Sequence, residues 1–309
     1  MILRLTDLPV KEKTACTIGN FDGVHKGHKE ILNKLKNIAS EKNLKTVVIT
    51  FYPHPRKILN PQQYKCSIVN LETKVQLLKE AKIEYILVVD FDKNFYEKQP
   101  EDFLNFLKEK INCKYLVVGK DWRFGYKRSG DINLAKSLEE KLDYKVVIIE
   151  DITQENKRIS SSDIRDFLKN GNLERAAQLL GRDYYLIDKV VEGDKKGREL
   201  GFPTINLKPE DDLCLKKGVY AGFICYENVC QKAVINYGNR PTVDGTKTFM
   251  EAHIVEDLKI HPKTKDYVKL IFKTYLREEK KFNSIDELKN QIKLDIQKAL
   301  EVLNESIKL

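Results

Sequence analysis

Two histidines three residues apart, His25 and His28, lie in the stretch Gly19-Asn-Phe-Asp-Gly-Val-His-Lys-Gly-His28. Before it runs an apolar segment at residues 15–18, and after it Ile31, Leu32, Leu35, Ile38 and Ala39 recur at helical spacing. The stretch is therefore a turn between a strand and a helix N-terminus, where free backbone N–H groups and the helix dipole favour an anion. Within one helical turn His25 and His28 share a face and point to where that anion sits. Gly27 between them removes a Cβ that would hold a phosphate off the backbone. The chemistry implied is phosphate binding by two imidazoles, with no nucleophile in the stretch.

A second set of such residues lies in Gly193-Asp-Lys-Lys-Gly-Arg-Glu-Leu-Gly-Phe-Pro-Thr-Ile-Asn206. Gly193, Gly197 and Gly201 with Lys195, Lys196 and Arg198 offer backbone and side-chain donors that converge on a polyphosphate. Thr204 and Asn206 alternate onto one face of an extended segment, so their oxygens suit one hard cation such as Mg²⁺ bridging ATP phosphates. The same stretch is also compatible with a glycine-rich hairpin that has an exposed basic tip. Glu251, in Phe249-Met-Glu-Ala-His253, is a carboxylate on an apolar strand. It reads either as the outward residue of an alternating strand or as a general base for an alcohol.

Several further loops carry polar or ring-bearing side chains. Phe51-Tyr-Pro-His-Pro55 holds Pro53 and His54 on a stiffened backbone, and Gly119-Lys-Asp-Trp-Arg-Phe-Gly125 holds Asp121 and Phe124. In Ile159-Ser-Ser-Ser-Asp-Ile-Arg165 the spacing of Ser160 and Asp163 predicts a capped helix start, with Ser161 and Arg165 in its first turns. Singly, each is also what a plain turn, loop or capped helix requires; together at one sheet edge they favour a nucleotide site.

The elements that must position these residues fall into two classes. Strand-like runs at 15–18, 45–51, 85–89, 115–118 and 145–149 alternate with helical patterns at 71–82, 100–111 and 132–142. Alternation of this kind predicts an open, mostly parallel α/β sheet with ligands at the carboxyl ends of its strands. After a short helix at 173–180 the period changes to two. Strands at 184–192, 218–226, 229–236, 248–255 and 267–275, followed by an amphipathic helix at 285–307, predict a small β-barrel with a C-terminal helix. Leu288, Ile292, Ile296, Leu300 and Leu303 form that helix's apolar stripe. The boundary falls at residues 181–183, giving domains of 1–181 and 182–309.

Composition narrows the class. With 309 residues, 41% hydrophobic and 33% charged, the chain reads as a soluble globular protein of two cores. No apolar run reaches membrane-spanning length, so a cytoplasmic protein without a membrane partner is expected. The net charge of +9 suits nucleotides, and would suit nucleic acid, but the lysines are spread without a basic stripe. No nucleic-acid partner is expected on that account. The six cysteines form no C-x-x-C pair and no zinc-type spacing, and are expected to be buried, reduced thiols.

Taken together, the chain resembles the bacterial bifunctional riboflavin kinase/FMN adenylyltransferase (FAD synthetase) family over nearly its whole length. The stretches around residues 19–28, 50–55, 118–125 and 159–165 carry the resemblance in the first half. Gly197-Arg-Glu-Leu-Gly-Phe-Pro-Thr-Ile-Asn-Leu207, Gly218-Val-Tyr-Ala-Gly222, Asn236-Tyr-Gly-Asn-Arg-Pro-Thr242, Glu251-Ala-His253 and Leu276-Arg-Glu-Glu-Lys-Lys-Phe282 carry it in the second. The resemblance implies that the first domain adenylylates FMN and the second phosphorylates riboflavin, with ATP, riboflavin and FMN as ligands and Mg²⁺ accompanying ATP. It implies an ATP site in the first domain formed by Gly19, Asn20, Phe21, Asp22, Gly23, His25, His28, Ser161 and Arg165, with FMN near Pro53, His54, Asp121 and Phe124. In the second domain it implies ATP at Gly193, Lys195, Gly197, Arg198, Gly201, Thr204 and Asn206, the metal at Thr204 and Asn206, and Glu251 as base. Tyr52, Trp122 and Ser162 depart mildly from the family pattern. Two alternatives remain: a chain that keeps only one activity, and a nucleotidyltransferase with an RNA-binding barrel.

Overall fold

The computed structural model describes all residues except 151–152, 155–156, 194–196, 198–199, 211, 243–244 and 306–309. The chain forms two compact units, one of Met1–Lys65 with Lys74–Ser160 and one of Cys66–Thr73 with Ser161–Leu309.

In the first unit, β1 (Ile2–Leu3), β2 (Thr14–Ile18), β3 (Lys45–Tyr52), β4 (Tyr85–Asp90), β5 (Cys113–Gly119) and β6 (Lys145–Ile149) form a six-stranded parallel sheet in the order β1-β4-β3-β2-β5-β6. A short hairpin follows, β7 (Thr153–Gln154) and β8 (Lys157–Arg158). The continuous β-branched run of β3 is explained by burial on both faces, since Val47, Val48 and Ile49 are all fully buried. Helix Lys26–Lys42 packs Leu32, Leu35, Ile38 and Ala39 inward and ends at Asn43 in the left-handed region. Strand β1, two residues long, is too short for periodicity to reveal it. The strand order has a consequence for the site. The chain moves outward from β2 to β3 and β4 and then returns to β5 on the other side of β2, so the loop after β2 lies at the switch point where open α/β sheets bind ligands.

The second unit contains β9 (Tyr184–Val191), β10 (Thr204–Leu207), β11 (Gly218–Tyr226), β12 (Val229–Thr242), β13 (Gly245–Ile254) and β14 (Tyr267–Arg277), closed into an antiparallel barrel in the order β10-β13-β12-β11-β14-β9. Leu207, Tyr220, Ile235, Tyr237, Met250, Ala252 and Phe272 fill its interior. On the outside, Val219, Ala221 and Val234 pack against Ala299, Leu303 and Ile296 of helix Ile285–Glu305. That helix buries a charge within its apolar stripe. Asp295, 3% exposed, accepts from Arg277 Nε at 2.9 Å and Nη2 at 2.7 Å, pinning the helix to the end of β14. Segment Cys66–Thr73 belongs here because it is bonded to the barrel: Tyr184 Oη donates to the Ile68 carbonyl, Asn70 Nδ2 to the Ile187 carbonyl, and Ile187 N to Thr73 Oγ1, each at 2.8 Å. Helices Ser161–Lys169 and Leu173–Leu180 are in the same unit, the first accepting Lys216 N at the Leu168 carbonyl.

The cysteines depart from expectation. Instead of reduced thiols the structure contains three disulfides, Cys16–Cys113, Cys66–Cys214 and Cys225–Cys230. Motif spacing does not show such pairs because adjacency comes from the sheets. Cys16 and Cys113 lie on neighbouring strands β2 and β5, and Cys225 and Cys230 are cross-strand partners in the β11–β12 hairpin. A bridge between Ser67 and Leu213 brings Cys66 to Cys214.

Candidate active sites

The loop after β2 turns sharply through residues that are not all glycine. Phe21 (φ 46°) and Val24 (φ 38°) occupy the left-handed region beside Gly23 (φ 75°), a conformation costly for side-chain-bearing residues. Both side chains are buried, at 2% and 1% exposed, and that packing holds the strained path. His25 is the N-cap of helix Lys26–Lys42, its Nδ1 accepting the His28 N–H at 3.3 Å. In the neutral ring the proton is therefore on Nε2, which makes Nε2 a donor. The two imidazoles stack with centroids 3.7 Å apart, and Phe21 borders His28 at 5.1 Å. A Cβ on Gly27 would come within 3.1 Å of the His25 ring. The glycine thus makes room for the imidazole. Gly19 N–H is used by the Ile49 carbonyl, whereas the N–H groups of Asn20, Phe21 and Gly27 have no acceptor among the described residues. Asp22 is buried, 3% exposed.

Neighbouring strands bring the other loops of this sheet to the same edge. His54, after β3, places Nε2 3.2 Å from the Asn20 carboxamide and accepts Arg56 N–H on Nδ1. Asn20 Nδ2 is the atom that faces His54 Nε2, and Asn20 Oδ1 is buried with no hydrogen-bond partner among the described residues. Thr50 Oγ1 donates to the Asn20 carbonyl and fixes the loop from below. After β5, Phe124 is 6% exposed, packed on Phe103, and stacked at 4.3 Å by Trp122. Trp122 is the more exposed of the stacked pair, while Asp121 is exposed and Pro53 half-buried. Ser161 and Arg165 are in the second unit, where Arg165 Nε donates to the Cys66 carbonyl at 3.0 Å.

In the second unit, register assembles a polar row on the outer barrel face. Asn206 of β10 is opposite Glu251 of β13, and Glu251 is opposite Asn236 of β12. The interior residues on either side, Leu207, Met250, Ala252, Ile235 and Tyr237, point the other way, so the row faces outward beside the C-terminal helix. Asn206 Nδ2 donates to the Thr204 carbonyl at 3.3 Å and lies 3.4 Å from Thr204 Oγ1. Two glycines of the glycine-rich stretch approach this row closely. A Cβ on Gly193 would collide with the Asn206 carboxamide, and one on Gly197 would come within 3.3 Å of Thr204 Oγ1. Gly201 needs its glycine for a different reason, its φ of 88°. Lys195, Lys196 and Arg198 lie outside the described residues. Among the described residues no cluster of three His, Cys, Asp or Glu side chains could hold a metal. Thr204 and Asn206 are neutral oxygen donors, which fits Mg²⁺ shared with phosphates better than a protein cage.

A family model described as FAD synthetase matches residues 7–163, and one described as riboflavin kinase matches residues 180–303. A bifunctional riboflavin kinase/FMN adenylyltransferase from Buchnera aphidicola is 34% identical over 96% of both chains. The chain belongs to the bifunctional riboflavin kinase/FMN adenylyltransferase family. The Escherichia coli K12 member is 33% identical, covering 92% of this chain and 91% of that one. A crystal structure titled macrolide-efflux protein, from Streptococcus pneumoniae, superposes with a TM-score of 0.78 at 28% identity, covering 96% of this chain and 97% of that one. Among the described residues no helix is long and apolar enough to cross a membrane.

Seen as a family member, the chain has both of its modules matched, the first containing the β2 loop and the second the Asn206–Glu251 row. Asn236 escaped singling out from the sequence, although it opens the Asn236-Tyr-Gly-Asn-Arg-Pro-Thr242 stretch. An asparagine on a strand gives no chemical signal until register places it beside a carboxylate.

Proposed function

We propose that the chain makes FAD from riboflavin and two ATP. The domain of residues 182–309 phosphorylates riboflavin to FMN, and the domain of residues 1–181 adenylylates FMN, releasing pyrophosphate. The observation that supports this reading best is the direct pairing of Glu251 with Asn206, whose carboxamide is packed against Gly193.

In the kinase step the attacking group is the neutral terminal hydroxyl of the ribityl chain. Glu251 takes its proton as the oxygen bonds to the γ-phosphorus of ATP and the ADP oxygen leaves. Gly193, Gly197 and Gly201, with Lys195 and Arg198, cover the phosphates. Thr204 and Asn206 would hold Mg²⁺, which supplies positive charge against the phosphate oxygens. In the adenylyl step the FMN phosphate is already an anionic nucleophile, so no base is required. It attacks the α-phosphorus of ATP, and pyrophosphate departs. His25 and His28 donate to the phosphate oxygens, joined by backbone donors in the stretch from Gly19 through Asn20, Phe21 and Asp22 to Gly23. Ser161 and Arg165 are proposed to hold the β- and γ-phosphates. Pro53, His54, Asp121 and Phe124 are proposed for FMN. Use of ATP in both steps supports a cytoplasmic location, and no nucleic-acid partner is proposed.

Incubation with riboflavin, ATP and Mg²⁺, with flavins resolved by chromatography, tests the proposal. FMN followed by FAD is expected; riboflavin left unchanged over a range of redox and metal conditions would overturn it.

A further inference from the structure

Glu251 has a polar neighbour on each side across the barrel strands, and the two are not equivalent. Asn206 on β10 is bonded to Thr204 and lies under Gly193, so it is the phosphate side of the base. Asn236 on β12 has no such engagement among the described residues. Its side-chain oxygen is buried and has no hydrogen-bond partner among the described residues. Leaving a buried polar group unpaired is costly, and sites that tolerate the cost reserve the group for a ligand. Beyond Asn236 the row closes on Val219, buried in the apolar cluster with Ala299 and Leu303. One unpartnered carboxamide is therefore confined between the base and the wall made by the C-terminal helix.

We propose that Asn236 positions the riboflavin chain in the kinase site, its carboxamide hydrogen-bonding the secondary hydroxyl next to the primary hydroxyl that is phosphorylated. The inference rests on the reading of Glu251 as the base of that reaction. The ribityl chain ends in a vicinal diol, so when Glu251 holds the terminal hydroxyl the next hydroxyl is one carbon away. Residues directly opposite in an antiparallel pair place their Cβ atoms about 4.5–5.5 Å apart, which suits contact with two adjacent hydroxyls. A carboxamide both donates and accepts, and its terminal torsion is soft, so it serves a hydroxyl in either sense. Two contacts on adjacent carbons orient the reacting oxygen in a way that one contact does not. A substrate lacking the second hydroxyl leaves the carboxamide unpaired and is discriminated against.

The test compares riboflavin with 4′-deoxyriboflavin as substrates for the full chain and for Asn236→Ala, following phosphorylation of each flavin. The full chain is expected to prefer riboflavin by about tenfold in kcat/KM, the scale of one hydrogen bond. Asn236→Ala is expected to lose about tenfold on riboflavin, to change little on the deoxy analogue, and to leave the KM for ATP unmoved. A purely structural role would weaken both flavins alike, and discrimination retained in Asn236→Ala would overturn the inference. Asn236→Ser gives the same comparison should the alanine variant be insoluble. Failure of the full chain to phosphorylate riboflavin would overturn the kinase reading itself, a distinguishable result.

Discussion

His25 lies flat on His28, with ring planes 16° from parallel, while its Nδ1 caps the helix by accepting His28 N–H. One side chain thus caps the helix through Nδ1, while the proposed phosphate contact would use its Nε2–H. These duties separate on substitution. Asparagine is a good N-cap, so His25→Asn should keep the melting temperature, whereas His25→Ala should lose about 1 kcal/mol as well. Both variants, and His28→Ala, should lower FAD formation from FMN by about 10²- to 10³-fold while FMN formation continues. Wild-type FAD formation by His28→Ala would remove it from the transition state.

Glu251→Gln should show the reverse pattern. Loss of the base should cut FMN formation by about 10²- to 10⁴-fold, leaving conversion of added FMN to FAD intact. FMN accumulating at the wild-type rate would refute the assignment.

The buried pair of Arg277 and Asp295 predicts a stability effect away from the reacting groups. Asp295→Asn leaves the guanidinium without its bidentate partner and should destabilise the barrel unit by about 3 kcal/mol. Denaturant titration measures it, and a change below about 0.5 kcal/mol would mean the helix is held by its apolar stripe alone.

Asp188 predicts a pH dependence. Burial, with Glu72 and Glu210 adding to it, pushes its carboxyl up to about 7, against the opposing pull of the Lys189 N–H bond. A raised carboxyl pKa means that folding favours the protonated form. The stabilising contribution is complete below the unfolded value near 4 and is lost as pH rises to 7. Asp188→Asn should therefore flatten the stability profile between pH 4 and 7 and raise stability by a few kcal/mol at pH 8. An unchanged profile would show that the carboxylate is already ionised at neutral pH.

Denaturation without reductant followed by alkylation should modify no cysteine, because all six are paired. Replacing Cys66 and Cys214 together by alanine should cost about 5 kcal/mol, since that bridge closes a loop of sequence separation 148. Full alkylation without reductant would show the thiols to be free.

Period and spacing made most of the architecture legible. The β-branched run of β3 needed burial on both faces, and the two-residue period after Gly181 needed a one-sided sheet, so a parallel sheet and a barrel followed. Strand β1 escaped because two residues carry no periodicity, and β10 was legible as an extended segment but not as a barrel strand. Asp295 interrupted an apolar stripe that its neighbours defined, and only its partner on β14 explains its burial.

The sequence by itself determined the place of the 19–28 stretch between strand and helix, the extended segment at 204–206, and the family. These depend on neighbours within a few residues, where local backbone preference and residue chemistry decide. Tertiary structure alone decided that the β2 loop lies at the switch point, that six cysteines pair, and that Asn206, Glu251 and Asn236 stand in one row. The reason is strand register: it brings together side chains from distant positions, and a shift of one residue would turn them to the opposite face.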